Sequence, residues 1–496
     1  MNDGPKKAGI VYLVGAGPGH PGLITRMGYE LLQHCDAVAY DALIPLELIS
    51  SLPERVERHY VGRRAGRHSM PQAEKNRLLL DLALRGLNVV RLKGGDTSFF
   101  GGSAEEAEYL AAAGVQVVII PGVTAASAVA AVSGLPLTDR RAASWAFFAT
   151  AHGSADEPIP VPWKEIAALS GGTLVIYMGL ANLEQTVAKL LEGGSDRNTP
   201  CMVVQAATTG VQQILESRLS DVVADCRARQ IRPPALVVVG GVVQHRASTF
   251  SHATPLAGKR VLTTCCAQET EAVCAALREY GAEPLPYPTY ILENSDDAQG
   301  WARFATAAAS GGWCVFTSST EVRGFVDALL RNTFDLRSLG KLRIAAFGRD
   351  TESALLRRGL RADRIFQIPP QTLSPKYLTG GRSSKAARLV IISEQISVKP
   401  EEWADVIRLN LFRTKPASWE THWLQEIRTN STDFILFDNP AAVDGFVQVL
   451  GLDEARSLSG RCKVIVMNNA AAAAASRWNL ELSVEFAELF SEMFRT

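Results

Sequence analysis

Short apolar runs and helix-period stretches alternate along the first half of the chain. GIVYLV at 9–14 reads as a buried strand, a helical pattern begins near Leu23 and settles into a helix over 26–34, and AVAY at 37–40 reads as a second strand. The alternation continues with a helix over 72–85, a strand over 88–92, a helix over 104–113 and a strand over 115–120, before PGVTAA at 121–126 turns into a further helix. Strands that alternate with helices predict an α/β fold with parallel sheets.

Periodicity lapses in STFSHATPLAG at 248–258, a stretch of small polar residues that reads as a linker. Beyond it KRVLTT is a strand and 269–280 a helix. An internal repeat then emerges: VFTSSTEVRGF at 315–325 echoes LFDNPAAVDGF at 436–446, and AAFGRDTESALLRRGL at 345–360 echoes the segment that starts at Val464. The offset of about 120 residues is too long for a solenoid and suits two related α/β lobes. The alanine run at 470–475 reads as a helix start, since alanine is the best helix former.

Composition narrows the function. Lys plus Arg and Asp plus Glu are 51 each in 496 residues, so no global field recruits nucleic acid or anionic lipid, and a polyanionic ligand needs a local basic cluster. Neither a signal peptide nor a membrane span is evident, which makes the cytoplasm the expected location. The eight cysteines form no C-x-x-C pair, and the histidines are dispersed, so reduced thiols and no metal site are expected.

Candidate chemistry centres on VVRLKGGDTSFFGGSAEE at 89–106, where a strand gives way to Gly94, Gly95 and Asp96. Such a turn is either an ordinary Gly-Gly-Asp loop or a place where bare main chain approaches a ligand beside a carboxylate. Glycines 15, 17, 19 and 22 follow the first strand, but Pro18 and Pro21 stiffen a longer loop than a nicotinamide-dinucleotide fingerprint has. Asp41 stands at the end of the second strand, as a cap or as a catalytic carboxylate. Arg63, Arg64 and Arg67 in RRAGRH supply a basic loop whose guanidinium groups can pair carboxylates two-pronged.

VGAGPGHPGLIT, YDALI, RLKGGD and PGVTAAS, followed by GLPLTDR, TLVIYMGL, TPCMVVQAATT and PPALVVVGGVV, occur in that order. With them, residues from about 9 to 247 resemble the uroporphyrinogen III C-methyltransferases, S-adenosylmethionine enzymes with the two-subdomain tetrapyrrole-methylase fold. The resemblance implies a methylase domain over 1–247 and a homodimer. It implies a methyl-donor trough at Pro18, Gly94, Gly95, Asp96, Phe99, Thr124, Ala125, Met178 and Ala207, with S-adenosylhomocysteine as released product. Asp41 matches the family's proton-accepting aspartate, and Arg63 stands where a proton-donating lysine is usual. A guanidinium stays protonated, so Arg63 suits a carboxylate clamp better than an acid. Thr97 and Gly102 replace a proline and an arginine of the family pattern, Gln205 its acid, and Ala207 its glycine.

The repeated second half, 259–496, resembles uroporphyrinogen III synthase, which cyclises hydroxymethylbilane in a cleft between two lobes. That likeness implies one lobe from 259–289 plus 416–496 and another from 290–415. It also implies cleft-facing Thr317, Ser318 and Thr351, which on their own read equally well as helix caps. Departures at Thr264-Cys265, Trp419 and 467–471 leave two alternatives, an active synthase or a tetrapyrrole-binding or scaffold module. Methylation of another acceptor such as RNA runs against the zero net charge.

Overall fold

A computed structural model of the chain describes residues 7–483 apart from positions 54, 430 and 468 and segments 63–69, 152–160, 248–253, 368–371, 380–387 and 393–396. Two compact units result: one gathers Met1–Val261 with Leu277–Pro286 and Thr421–Thr432, the other Leu262–Ala276, Tyr287–Glu420 and Asp433–Thr496. The described part of the expected linker is anchored within the first unit, since Leu256 is buried and Gly258 N donates to Gly210 O at 2.9 Å.

The first unit opens with β1 (Val11–Gly15), α1 (Arg26–His34), β2 (Ala37–Tyr40), α2 (Leu46–Ser50), β3 (Glu57–Tyr60), α3 (Gln72–Leu84), β4 (Val89–Lys93), α4 (Ser103–Ala112), β5 (Val117–Ile120) and α5 (Ala125–Ser133). The five strands pair in parallel in the order β3-β2-β4-β1-β5. Because β2 and β4 are buried along their whole length, their apolar runs lack the alternation of a one-sided strand. The helical pattern near Leu23 resolves into two pieces. His20 caps a short 3-10 turn at Pro21–Leu23, and α1 starts only where the Thr25 hydroxyl accepts from Gly28 N at 3.2 Å.

A second sheet follows, built from β6 (Trp145–Thr150), β7 (Gly172–Tyr177), β8 (Pro200–Gln205), β9 (Gln213–Arg218) and β10 (Ala235–Val239), with α6 (Trp163–Ala167), α7 (Leu183–Glu192) and α8 (Val222–Ala228) between them. Its order is β6-β7-β10-β8-β9, parallel only between β6 and β7. Trp163, Val187, Leu190 and Val222 from α6, α7 and α8 bury one face. Ala126 and Val129 of α5 bury the other against Val175, Met202 and Val238. The helix that leaves the first sheet therefore closes the second, and the two become one body.

In the second unit, strands Arg364–Phe366, Leu342–Phe347, Gly312–Phe316, Arg388–Ile391 and Asp405–Arg408 form a parallel sheet in that order. Trp301, Phe304, Phe316 and Phe325 fill its core. The repeat is structural: strand Gly312–Phe316 enters helix Ser319–Arg331 as strand Phe434–Phe437 enters helix Pro440–Leu450. Ser318 and Asn439 occupy matching cap positions, accepting from Glu321 N at 3.1 Å and Ala442 N at 3.0 Å. The alanine run lies in helix Asn469–Arg477.

Parallel strands deliver every loop after β1 to β5 to one edge, and three glycines hold that edge together. A Cβ on Gly15 would sit 2.7 Å from both Gly122 Cα and Gly95 O, so main chain packs on main chain with no flexible group to yield. At Gly94, by contrast, a Cβ would meet only Leu43 Cβ at 3.5 Å, an ordinary contact. Gly15→Ala should lose about 2 kcal/mol or more of unfolding free energy, whereas Gly94→Ala should stay within about 0.5 kcal/mol of the parent. Urea denaturation of both variants decides it, and equal losses would remove the backbone crossing as the constraint.

Candidate active site

The loops after β1 and β4 are joined as a miniature ladder. Gly17 N donates to Gly95 O at 3.1 Å and Gly95 N to Gly17 O at 2.8 Å, which the positive φ of both residues, 78° and 73°, permits. Asp96 ties in the loop after β5: its Oδ2 accepts from Gly122 N at 2.7 Å and its Oδ1 from Ser98 N at 2.8 Å. The carboxylate thus builds the loop crossing. The same loops meet the second sheet through Thr208, whose hydroxyl donates to Pro18 O at 3.0 Å and accepts from His20 N at 2.9 Å.

Tyr177, at the end of β7, makes the matching link from the other side. Its hydroxyl lies 2.7 Å from Thr124 Oγ1 and accepts from Ala126 N at 3.1 Å; burial pushes its titration upward. Phe100 packs on the same ring at a centroid distance of 5.0 Å, and Phe99 meets Phe148 edge-on at 5.7 Å. Met178 follows, 51% exposed. Phe100, Met178, Ala206 and Thr208 all hold positive φ without being glycine, a strained backbone that concentrates at ligand-holding loops.

Pro18, Gly94, Gly95, Asp96, Phe99, Thr124, Met178 and Ala207 therefore fall on loops that meet along one edge, with Ala125 opening α5 there. The chemistry of this edge fits a nucleoside carrying a thioether or sulfonium. Exposed apolar rims (Phe99, Phe100, Met178) flank bare main chain at Gly94 and Gly95, and the buried Thr97 hydroxyl has no hydrogen-bond partner. The sequence alone gives no separate role to Tyr177, Thr208, Gly15 or Gly122, although all four lie inside the ordered motifs; only their partners across the edge mark them out.

Asp41 is held from below by a row of buried charge. Arg91, 2% exposed in the middle of β4, donates to Asp41 Oδ2 at 2.7 Å and pairs with Glu106 at 3.4 Å. Lys93 donates to the other Glu106 oxygen at 2.6 Å, and Gln72 donates to Oε1 at 3.1 Å. Lys75 stands 4.0 Å from Asp41 Oδ1. Burial works against a charged Glu106, but Arg91, Lys93 and these hydrogen bonds outweigh it and hold the carboxyl below its ordinary value. Desolvation pulls Lys93 downward; at 2.6 Å from an ionised carboxylate the ammonium form is the one we assign to it.

Arg63, Arg64 and Arg67 lie outside the described residues. In the second unit the Thr317 hydroxyl donates to Glu321 Oε1 at 2.7 Å, Ser318 caps its helix, and Thr351 is buried within helix Arg349–Arg357. At the repeat position matching Thr317 stands Asp438, which accepts from the Tyr290 hydroxyl at 3.1 Å. Burial and the neighbouring Glu269 carboxyl push Asp438 up to about 7. Among the described residues no group of three or more His, Cys, Asp or Glu is placed to hold a metal ion, and no helix is long and apolar enough to cross a membrane.

Fold and site together define a two-sheet α/β protein whose loops meet along one edge, with a carboxylate supported by buried ions alongside. A family model for Tetrapyrrole (Corrin/Porphyrin) Methylases matches residues 10–223, and one for Uroporphyrinogen-III synthase HemD matches residues 271–488. The chain is similar to the Uroporphyrinogen-III C-methyltransferase of Bacillus subtilis (strain 168), 33% identical over 360 residues that cover 72% of this chain and 74% of that protein. It is also similar to the Porphyrin biosynthesis protein HemD of Ruminiclostridium josui, 29% identical over 489 residues, or 96% of this chain and 95% of that one. Among solved structures, the Uroporphyrin-III C-methyl transferase from Thermus thermophilus complexed with S-adenyl homocysteine is 35% identical, with a TM-score of 0.42, over 50% of this chain and 99% of its own. The chain belongs to the tetrapyrrole methylases and carries a uroporphyrinogen-III synthase domain behind the methylase.

The charge row has a measurable acid signature. A carboxyl whose folded titration lies below its unfolded value of about 4.5 contributes stability above that pH and loses it as pH falls through the folded value. Glu106→Gln should cost about 3 kcal/mol or more at pH 7 and flatten the fall in stability below about pH 4.5. An acid limb as steep as the parent's would show that Glu106 carries no such coupling.

Proposed function

We propose that this enzyme moves methyl groups from S-adenosylmethionine to ring carbons of uroporphyrinogen III, giving precorrin-2, and that its C-terminal half makes uroporphyrinogen III from hydroxymethylbilane. The pathway context is sirohaem or cobalamin formation. The observation that carries the methylase reading is the placement of Asp41, fixed on one oxygen by Arg91 at 2.7 Å, on the same strand edge as the interlocked loops of Gly17 and Gly95.

The donor's sulfonium supplies an already activated methyl group, so little covalent help is required of the protein. What these residues contribute is alignment and exclusion of water. Gly94, Gly95, Phe99, Thr124, Ala125, Met178, Ala207 and Pro18 would hold the nucleoside. Asp41 would take the surplus proton of the methylated ring carbon on Oδ1, because Oδ2 is committed to Arg91. Arg63, Arg64 and Arg67 would clamp the carboxylates of the macrocycle and remain charged throughout.

For the synthase half the support is the family match over 271–488. Thr317 and Ser318 serve their own helix, so their role toward the substrate would fall to the strand-end loops they shape. We place the domain boundaries at 1–247, 248–258 and 259–496, with the lobes as the repeat divides them. A homodimer through the methylase is supported by β5, an open edge strand on which Ile119 is 47% exposed. The eight cysteines without disulfides suit the reducing cytoplasm.

Asp41→Asn should retain S-adenosylhomocysteine binding by calorimetry while methyl transfer to uroporphyrinogen III falls about 100-fold; undiminished turnover would move the base elsewhere. Full-length protein given hydroxymethylbilane without methyl donor should yield the type III isomer. If only the uninverted isomer accumulates, the C-terminal half is a binding or scaffold module.

A further inference from the structure

Tyr40 and Tyr60 end the two strands whose following loops carry Asp41 and Gly62. Their rings touch edge-on at 5.6 Å. Against them lies a residue from far along the chain, His422, the second residue of helix Thr421–Thr429. Its imidazole stacks on Tyr60 at 4.0 Å with 10° between the planes, and its Nε2 is 3.2 Å from the Tyr40 hydroxyl. All three side chains are buried.

This contact has company within the first unit. Arg278 pairs with the buried Glu47 of α2, and the Glu283 carboxylate accepts from Gly210 N at 2.7 Å. Arg260 donates to Ser431 Oγ at 3.0 Å. Burial, and then the Arg278 charge, pushes His20 on the first glycine loop below its ordinary value. Residues of the synthase-like sequence thus pack beside the methylase strands and belong to the same compact unit.

We propose that His422 is a positioning residue for methyl transfer: by clamping the ends of β2 and β3 through Tyr40 and Tyr60, it fixes where Asp41 points. Asp41 follows Tyr40 directly in the chain. Arg91 fixes its Oδ2 from within the sheet, but the backbone that carries it is braced from outside by the imidazole. Val61 N donates to Tyr40 O at 3.0 Å, so the two strand ends move together. A displacement of about 1 Å at a reacting group is enough for a rate loss on the order of 100-fold. The inference rests on the methylase reading and adds to it a residue that no isolated methylase sequence would supply.

The test uses full-length protein. His422→Phe keeps the stacked ring and removes Nε2, Tyr40→Phe removes the other end of the same hydrogen bond, and His422→Gln restores a polar partner without the stack. Methyl transfer to uroporphyrinogen III gives kcat and KM, calorimetry gives S-adenosylhomocysteine affinity, and the thermal midpoint reports folding. We expect kcat to fall about 10-fold in His422→Phe and in Tyr40→Phe, no further in the double variant, and less in His422→Gln. Donor KM and nucleoside affinity should stay within about twofold of the parent. Folded variants with parental kcat, or losses that multiply in the double variant, overturn the role of His422. A parent protein that transfers no methyl group overturns the proposed function instead, and the two failures are separately visible.

Discussion

The pairing of Arg91 with Asp41 and Glu106 is the interaction on which the methylase half turns. β4 lies in the middle of a parallel sheet, where both faces are covered and a charge is costly to bury. Arg91 and Lys93 nevertheless point inward from it, and Glu106, fully buried at the start of α4, satisfies both. An apolar side chain at position 91 would pack more cheaply. What the arginine adds is a fixed guanidinium under Asp41, so that a surface carboxylate is held by the core.

The loops above that row are arranged by steric necessity. Gly15 and Gly122 come from two different strand ends and approach so closely that neither tolerates a Cβ without displacement of backbone, since on either a Cβ would also run into the carbonyl oxygen of Gly95. Asp96 then locks the crossing through Gly122 N. Thr208 and Tyr177 bring the second sheet to the same place, each through a hydroxyl that reaches main chain of the opposite part. Rigidity at the edge comes from this mesh, and the exposed aromatic and methionine side chains around it remain available for a ligand.

Much of this organisation was legible in the residues. The apolar runs placed β1, β2, β4 and β5 of the first sheet because buried parallel strands are continuous in hydrophobicity, while β3, which reads ERHY, has no such run and was missed. The echo between 315–325 and 436–446 anticipated two strand–cap–helix units whose caps, Ser318 and Asn439, coincide. Asp96 shows the limit. A carboxylate beside two glycines reads as a ligand hook, yet its two oxygens bind backbone amides of its own loops. Thr317 shows the same: its hydroxyl serves Glu321 one turn away. Arg91 was hidden for the opposite reason, since a lone arginine inside VVRLK carries no periodic signal. His422, remote in sequence from Tyr40, could be found only in three dimensions.

In the proposed reaction, the exchange of the family's usual lysine for Arg63 bears on which group could move a proton. A lysine in that position could donate a proton; a guanidinium cannot do so at physiological pH. Proton movement in that reaction would then fall to a single carboxylate, and Asp41 is suited to that role because its two oxygens are differentiated. Oδ2 accepts from the Arg91 guanidinium and is held in place by it. Oδ1 faces Lys75 only at 4.0 Å, too long for a hydrogen bond, and keeps its acceptor capacity. An acid on one side and a base on the other would require two tuned groups; a permanent clamp and one oriented base require only that the base not move. That requirement is met from within by Arg91 and, at the strand ends, by Tyr40, Tyr60 and His422.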